Sequence, residues 1–221
     1  MAREGFEKGL TELQEEVLIL GSMVDKAIDH SIEALKKRDI DWSRQIVADD
    51  AAINRKRFDV EEQALLLIAT QQPMARDLRF IAAVLSIITD LERMADHAEG
   101  IAKITLLLGD EPPVKPLIDI PRMATKGREM LRGALDALVA RDAEAAKRIA
   151  SEDDEVDGLY DQVYRELLTF MIQDPRTITR VTHLLWVAHN LERIADRVTN
   201  ICERVVFAVT GTMEEMNVST Y

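Results

Sequence analysis

Cysteine is nearly absent from this chain. Cys202 is the only one in 221 residues, so no intrachain disulfide can form and a reducing, cytoplasmic setting is expected. Glycine (9) and proline (6) are scarce, and aromatic residues make up only 5%. So few turn formers and strand-favouring rings exclude a fold of many short strands and leave long helices. Excess positive charge is missing as well. A net charge of −12 argues against a nucleic-acid binder, which needs a cationic face to displace counterions from phosphate. It suits a protein that meets cations or basic partner surfaces. The first residues, MAREGFEKGLTELQEE, hold no apolar signal-peptide core. No stretch approaches the roughly 18 uninterrupted apolar residues that span a bilayer, so no membrane insertion is expected.

The chain does have helical periodicity over most of its length. Leu10, Leu13, Val17, Leu20, Val24, Ile28, Ile32 and Leu35 recur at steps of three and four, predicting an amphipathic helix over about 4–37. A second helix is predicted from about Asp41, taken as its N-cap, to Gln71, where Pro73 stops it. A third starts at Pro73 or Met74 and runs to about Leu108. At about 100° per residue, Ile81, Val84, Ile88, Leu91, Ala95, Ala98 and Ala102 form its apolar stripe. Glu92 and Asp96 border that stripe, whereas Asp90, Arg93 and His97 point well away from it.

One stretch of this third helix is written twice. DLERMADHAEGIAK (90–103) returns as NLERIADRVTNICE (190–203), so Glu92, Arg93, Ala95 and Asp96 recur one hundred residues later as Glu192, Arg193, Ala195 and Asp196. GALDALVARD (133–142) likewise matches SIEALKKRD (31–39), and SEDDEVD (151–157) answers ADDAAIN (48–54). Between the copies lies GDEPPVKPLIDIP (109–121), with four of the six prolines. Such self-similarity means two tandem units. The expected fold is all-α: six long helices in two tandem antiparallel three-helix bundles. The first repeat is placed at 1–109, a linker at 110–117, the second repeat at 118–211 and a patternless tail at 212–221. In the second repeat the helices are expected at about 118–140, 142–173 and 177–209.

The carboxylates are the candidate chemistry. Glu92 with Asp96, and Glu192 with Asp196, each share one helix face. One helix earlier lies another four-spaced pair, Asp50 with Asn54 in the first unit and Asp153 with Asp157 in the second. If the faces meet, three or four carboxylates converge in each bundle, and their repulsion would raise their pKa values unless a cation relieved it. Oxygen donors suit hard cations such as Mg, Ca, Mn or iron, and Zn also accepts carboxylates. The alternative is a solvated acidic face neutralised by Arg93 and Arg193. A carboxylate-bridged metalloenzyme is a third reading, but the Glu-x-x-His pairing of di-iron enzymes is missing, since Ala95 and Ala195 stand at those positions. His30, His97, His183 and His189 show no paired-ligand spacing, Cys202 falls on the apolar stripe, and no phosphate loop, nucleophile elbow or zinc motif is present. No catalytic residues are expected. Trp42 and Trp186 have no counterparts in the other unit and are read as packing residues.

QQPMARDLR (71–79), followed by LERMADHAEGIAK (91–103) and its second copy LERIADRV (191–198), resembles the PhoU family. The likeness spans nearly the whole chain, and the order and duplication of its motifs are more specific than any one of them. It implies two tandem three-helix bundles in a cytoplasmic homodimer that is not an enzyme. It also implies a negative regulator that restrains phosphate uptake and keeps the phosphate-starvation response off. The implied partners are the ATPase subunit of the phosphate ABC transporter and a membrane sensor histidine kinase. The family's metal clusters are associated with doubled E(D)xxxD motifs, which fall here on Glu92 and Asp96, Glu192 and Asp196, and Asp153 and Asp157. The first unit departs from that pattern at Asn54, beside Asp50, so unequal occupancy of the two sites is expected.

Overall fold

The computed structural model describes residues 2–216. These form seven α-helices: α1 (Ala2–Lys37), α2 (Ile40–Gln71), α3 (Arg76–Leu108), α4 (Asp119–Ala140), α5 (Ala143–Ala150), α6 (Asp153–Gln173) and α7 (Ile178–Thr210). A single 3-10 turn, Pro175–Thr177, leads into α7. The architecture is the expected one, two three-helix units in tandem. One expected rod is in two pieces, however. The helix predicted over 142–173 breaks at Ser151 and Glu152, and α6 restarts at Asp153.

The two units share the same corner. Arg38 and Arg141 both turn left-handed (φ 55 and 53), and the aspartate after each caps the next helix. Asp39 accepts from the Trp42 backbone N–H and Asp142 from that of Ala145, both at 2.9 Å. The N-cap of α2 is therefore Asp39. Asp41, expected in that role, lies in the first helical turn and pairs with Arg44 at 2.8 Å. The third helix also starts later than expected. Gln72 ends α2 in a left-handed turn, Pro73 cannot continue it, and α3 begins at Arg76.

The core lies along α3 and α7. Phe80, Ile81, Val84, Ile87, Ile88, Leu91, Met94 and Ile101 are buried on α3, and Val181, Val187, Leu191, Ile194, Val198, Ile201 and Val205 on α7. These positions cover more than one helix face, as befits helices packed on several sides. The remaining helices are amphipathic and lay one stripe on this pair. On α1 the stripe is the predicted one, with Leu13, Val17, Leu20, Val24 and Ile28 fully buried. Cys202 is buried within it as well, and desolvation pushes its thiol up to about 12, which keeps it an inert core residue.

The polar face of α3 is not a solvent face. Asp90 accepts from Asn200 Nδ2 at 3.3 Å and lies 3.5 Å from Arg197 Nη1. His97 Nδ1 stands 2.9 Å from Asn190 Oδ1. Residue 90 meets 197 and residue 97 meets 190, so α3 and α7 run antiparallel about an approximate two-fold axis. Gly100 belongs to the same seam, because a Cβ there would stand 3.1 Å from Asn190 Oδ1. Thus Asp90 and His97, read from periodicity as pointing away from the core, point at the other unit.

A second ionic contact joins the units through α1 and α4. Arg128 holds Asp25 (2.8 Å) and also Asp29, and Arg132 reaches Asp25 at 2.8 Å. The start of the linker is tied to both units, by Arg38 to the Asp110 carbonyl and by Arg180 to that of Pro112, each at 3.1 Å. Part of the expected tail is also held. The Met216 N–H donates to Glu203 Oε1 at 2.8 Å, and Glu214 pairs with Lys147 at 3.0 Å. Residues 217–221 of that tail lie outside the described residues. Trp186, expected to be packed, is 50% exposed, while Trp42 leans on His30 with ring centroids 5.2 Å apart.

Burial works to raise the Asp25 carboxyl, but the Arg128 and Arg132 guanidiniums prevail and hold it below the ordinary carboxylate range. A depressed folded-state pKa contributes stability that is present above the unfolded pKa and is lost as pH falls through the folded one. Replacing Asp25 with Asn is therefore expected to destabilise the protein by about 1–3 kcal/mol at neutral pH. The deficit should shrink as unfolding is followed below about pH 4. A deficit independent of pH would assign the loss to packing instead.

Candidate functional site

The duplicated carboxylates sit where each second helix packs on the central pair. In the first unit, α2 brings Asp50 and Asn54 to the α3 face that carries Glu92 and Asp96. The convergence is visible in Asp50, whose carboxyl is raised by burial and then by the charges of Glu99, Asp96 and Glu92, against Lys103. Asn54 turns its amide onto Asp50, with Nδ2 to Oδ2 at 2.7 Å. In the second unit, α6 brings Asp153 and Asp157 to Glu192 and Asp196 of α7. Asp157 is raised by burial, then by Asp196, Asp154 and Asp161, with Arg193 opposing. Asp196 is raised by burial against the pull of Arg193 and Arg197.

Each pair also has its arginine in place. Arg93 lies 3.7 Å from Glu92 and 3.1 Å from Asp96, and Arg193 lies 3.0 Å from Glu192 and 2.9 Å from Asp196. The two clusters differ in depth. The Glu92 side chain is 22% exposed and that of Glu192 only 6%. Glu192 Oε2 is buried and receives no hydrogen bond; the Arg193 guanidinium lies against it without the alignment of one. His189 Nδ1 stands 3.5 Å from the same oxygen, and burial, with the charges of Arg193 and His97, lowers its pKa. A buried carboxylate oxygen without a hydrogen bond is costly and fits a cation as its partner. No three Asp, Glu, His or Cys side chains among the described residues are already gathered as a metal cage.

The helix break explains part of the difference in depth. It places Asp153 in the first turn of α6, buried at 4% exposure, where the helix dipole favours a carboxylate. Lys126 of α4 holds the break from outside, pairing with Glu152 at 2.9 Å and Glu155 at 2.8 Å. In the first unit α2 runs through the equivalent position without interruption.

Glu99 is the member that sequence reasoning missed. It heads the charges raising Asp50, shares a groove with Asp50 and Asp49, and pairs with Lys103 at 2.6 Å. Its signal was in the chain, since Glu92, Asp96 and Glu99 repeat at four and then three residues. The second copy has Thr199 there, buried, with its Oγ1 lacking a hydrogen-bond partner. Asn54 and Glu99 in one unit thus stand against Asp157 and Thr199 in the other. Glu99 brings a fourth carboxylate to Asp50, Glu92 and Asp96 in the first cluster, while Asp154 and Asp161 add their charges beside Asp157 in the second.

The profile of the PhoU domain matches the chain twice, over residues 17–105 and 120–205. A curated relative in Clostridium acetobutylicum, named phosphate-specific transport system accessory protein PhoU homolog, is 39% identical over 98% of this chain and 100% of its own. An identically named protein of Aquifex aeolicus is 39% identical over 84% of each chain. Among solved structures, PhoU from Pseudomonas aeruginosa superposes with a TM-score of 0.88 at 33% identity, covering 94% of this chain and 100% of the other. The phosphate transport system regulatory protein PhoU from Streptococcus pneumoniae gives 0.89 at 32%, covering 96% and 100%.

The depth of Glu192 has a measurable consequence. Burial, reinforced by Asp196, Asp157 and Asp153 and opposed by Arg193, pushes its carboxyl up to about 7. A carboxyl raised in the folded state contributes stability that is full below its unfolded pKa and is lost as pH rises through the folded value. In chelator, the protein is therefore expected to lose stability between about pH 5 and about pH 8. The Glu192→Gln variant, with no charge to bury, should lose less and be more stable by about 1–3 kcal/mol at the upper end. Parallel urea-unfolding curves for the two proteins across that range would show that Glu192 is not the titrating group.

Proposed function

The chain belongs to the PhoU family, and from that membership we propose that it is a metal-binding negative regulator of phosphate homeostasis. It is an accessory protein of phosphate transport rather than an enzyme, as its relatives are named. In this reading it works in the cytoplasm as a homodimer. It contacts the ATPase subunit of the phosphate ABC transporter and a sensor histidine kinase, restrains uptake, and keeps the starvation response off while phosphate is plentiful. No described helix is long and apolar enough to cross a membrane, so contact with those membrane systems would run through helical surface.

The repeats at 1–109 and 118–211 each carry one half of the metal-binding capacity. Asp153, Asp157, Glu192 and Asp196 would hold cations in the second. Asp50, Glu92 and Asp96, with Glu99 and the Asn54 side chain, would hold them in the first. A bound cation, whether iron, Mn, Mg or Zn, would supply positive charge to such a donor set. The chain's own residues do the rest, with α2 and α3, or α6 and α7, contributing oxygens from facing helices. The observation that carries the metal reading is Glu192 Oε2, buried among carboxylates with no hydrogen bond.

A metal-free helical scaffold is the second reading, and the Arg93 and Arg193 ion pairs favour it, because each arginine already neutralises its pair. A cation in either cluster would compete with that guanidinium for the same oxygens. Elemental analysis of protein purified without affinity metals decides between the two. Bound metal is expected in the wild type, with the Glu192→Ala/Asp196→Ala and Glu92→Ala/Asp96→Ala variants each losing their own half's share, and Glu99→Gln lowering the first. Protein free of metal, whose melting temperature is indifferent to chelator, establishes the scaffold instead. Pull-down with the purified ATPase subunit and kinase tests the regulatory role, and failure with both would remove it.

A further inference from the structure

The segment 71–79 carries part of the family likeness and takes no part in the carboxylate clusters. It forms a wall of a cleft of about 850 Å³ at one end of the molecule, between Phe6 and Leu10 of α1, Met74 of the α2–α3 connection, Arg76 and Phe80 of α3, and Arg141 at the end of α4. A cavity of about 240 Å³ continues from it past Phe80 to Val205 and Val209 of α7. Both units therefore build this groove, and it exists only while they are docked together.

Two arginines that line the cleft, Arg76 and Arg141, hold no carboxylate among the described residues, unlike most arginines of the chain. Arg44, Arg57, Arg122, Arg128, Arg165 and Arg193 each hold a carboxylate within 3.0 Å. Among the described residues no carboxylate pairs with Arg76, Arg79 or Arg141. Arg141 lies over the Phe80 ring at 5.7 Å, and Arg79, one turn beyond Arg76, rests against Gly211 with its Nε buried and without a hydrogen bond. Two carboxylates also line the cleft, Glu7 and Asp77. Glu7 is engaged within the chain, and Asp77 occupies the first turn of α3, where the helix dipole accommodates it. The apolar element is Met74, 80% exposed, above a floor that Phe80 makes. Backbone strain gathers here too. Gln72, Ala75 and Arg141 are three of the four non-glycine residues with positive φ among those described, and such conformations persist where the surroundings or a function require them.

We propose that this cleft is a docking groove for an acidic segment of a protein partner, held by the Arg76 and Arg141 guanidiniums, with one apolar side chain seated beside Met74 over Phe80. Charge complementarity selects that occupant. Arg76 and Arg141 pair with no carboxylate among the described residues and are free to receive those of a partner. The cleft is far larger than a small inorganic anion needs and has an apolar floor, which suits a peptide with an anchor residue. The inference does not rest on metal binding.

The test titrates the full chain with a labelled peptide of Asp and Glu around a central Leu, with its Lys-for-acid analogue, and with phosphatidylglycerol vesicles. The acidic peptide is expected to bind the wild type, to loosen as salt rises, and to bind the Arg76→Glu/Arg141→Glu variant at least about tenfold more weakly. Met74→Ser should weaken it without changing the salt dependence, and the Lys analogue should not bind. All three substituted side chains are exposed, so unchanged melting temperatures will show that the variants fold. No binding to the wild type, or equal binding to wild type and variants, overturns the proposal. So does vesicle binding that the variants lose while the peptide stays unbound. A wild-type oligomer that the double variant breaks, again without peptide binding, assigns the groove to a second copy and overturns it as well.

Discussion

Between α3 and α7 lies a polar layer that neither unit satisfies alone. Asp90 is buried enough that desolvation raises its carboxyl, and its hydrogen bond from Asn200 and the charge of Arg197 come from the other unit. His97 finds its partner in Asn190, and Gly100 leaves the room that Asn190 occupies. An apolar seam could slide along the helix axis, whereas these pairs are satisfied in a single register. That register aligns the two carboxylate clusters near the middle of the molecule, brings Arg128 of α4 to Asp25 of α1, and closes the end groove with side chains from both units. Separating the units would take from Asp90 and His97 their partners on α7 and open much of the α3 and α7 core to water.

Duplication copied the clusters, and packing then made them different. An uninterrupted α2 carries Asp50 and Asn54 past α3. The break before Asp153 instead lets α6 begin at its carboxylate, and Lys126 fastens Glu152 and Glu155 on the outside of that break. Burial follows from this arrangement, and it is why Glu192 is raised to about 7 while its copy is more open to water. The acidic positions moved as well. Glu99 answers Asn54 in one unit, and Asp157 answers Thr199 in the other. Each cluster stays acidic with different carboxylates at its periphery.

Periodicity made the helices, their order and the tandem architecture readable, because burial of one stripe imposes a spacing that a single chain displays. It named the α1 stripe residue by residue. What it could not display is a polar residue's partner. Asp90 and His97 lie off the apolar stripe, and only the placement of α7 shows that they face protein. The break at Ser151 and Glu152 has no glycine or proline to announce it; there the Ser151 hydroxyl bonds the Arg148 carbonyl and Lys126 of α4 pairs with Glu152. Asp41 was read as a cap because it is an aspartate near a helix start, but Asp39 follows the left-handed Arg38 and has the extended backbone a cap needs. The carboxylates themselves were legible as spacings. Glu99 escapes a reading by repetition because its position was not copied: Thr199 stands there in the second unit.

The groove and the clusters are built on the same two helices. Arg76 and Glu92 are separated by about 24 Å of α3, at 1.5 Å rise per residue, and α7 carries Glu192 and Asp196 towards Val205 and Val209 at the groove. A rigid helix shared by two sites is a mechanical connection, but it becomes energetic coupling only when occupancy of one site changes the equilibrium of the other. If cations shift how tightly the groove holds an acidic segment, that segment must shift cation affinity by the same factor. The Arg93 and Arg193 pairs mark where such a shift would begin. Each guanidinium now serves two carboxylates, and a cation that took those oxygens would release it at the surface of the helix that also forms the groove.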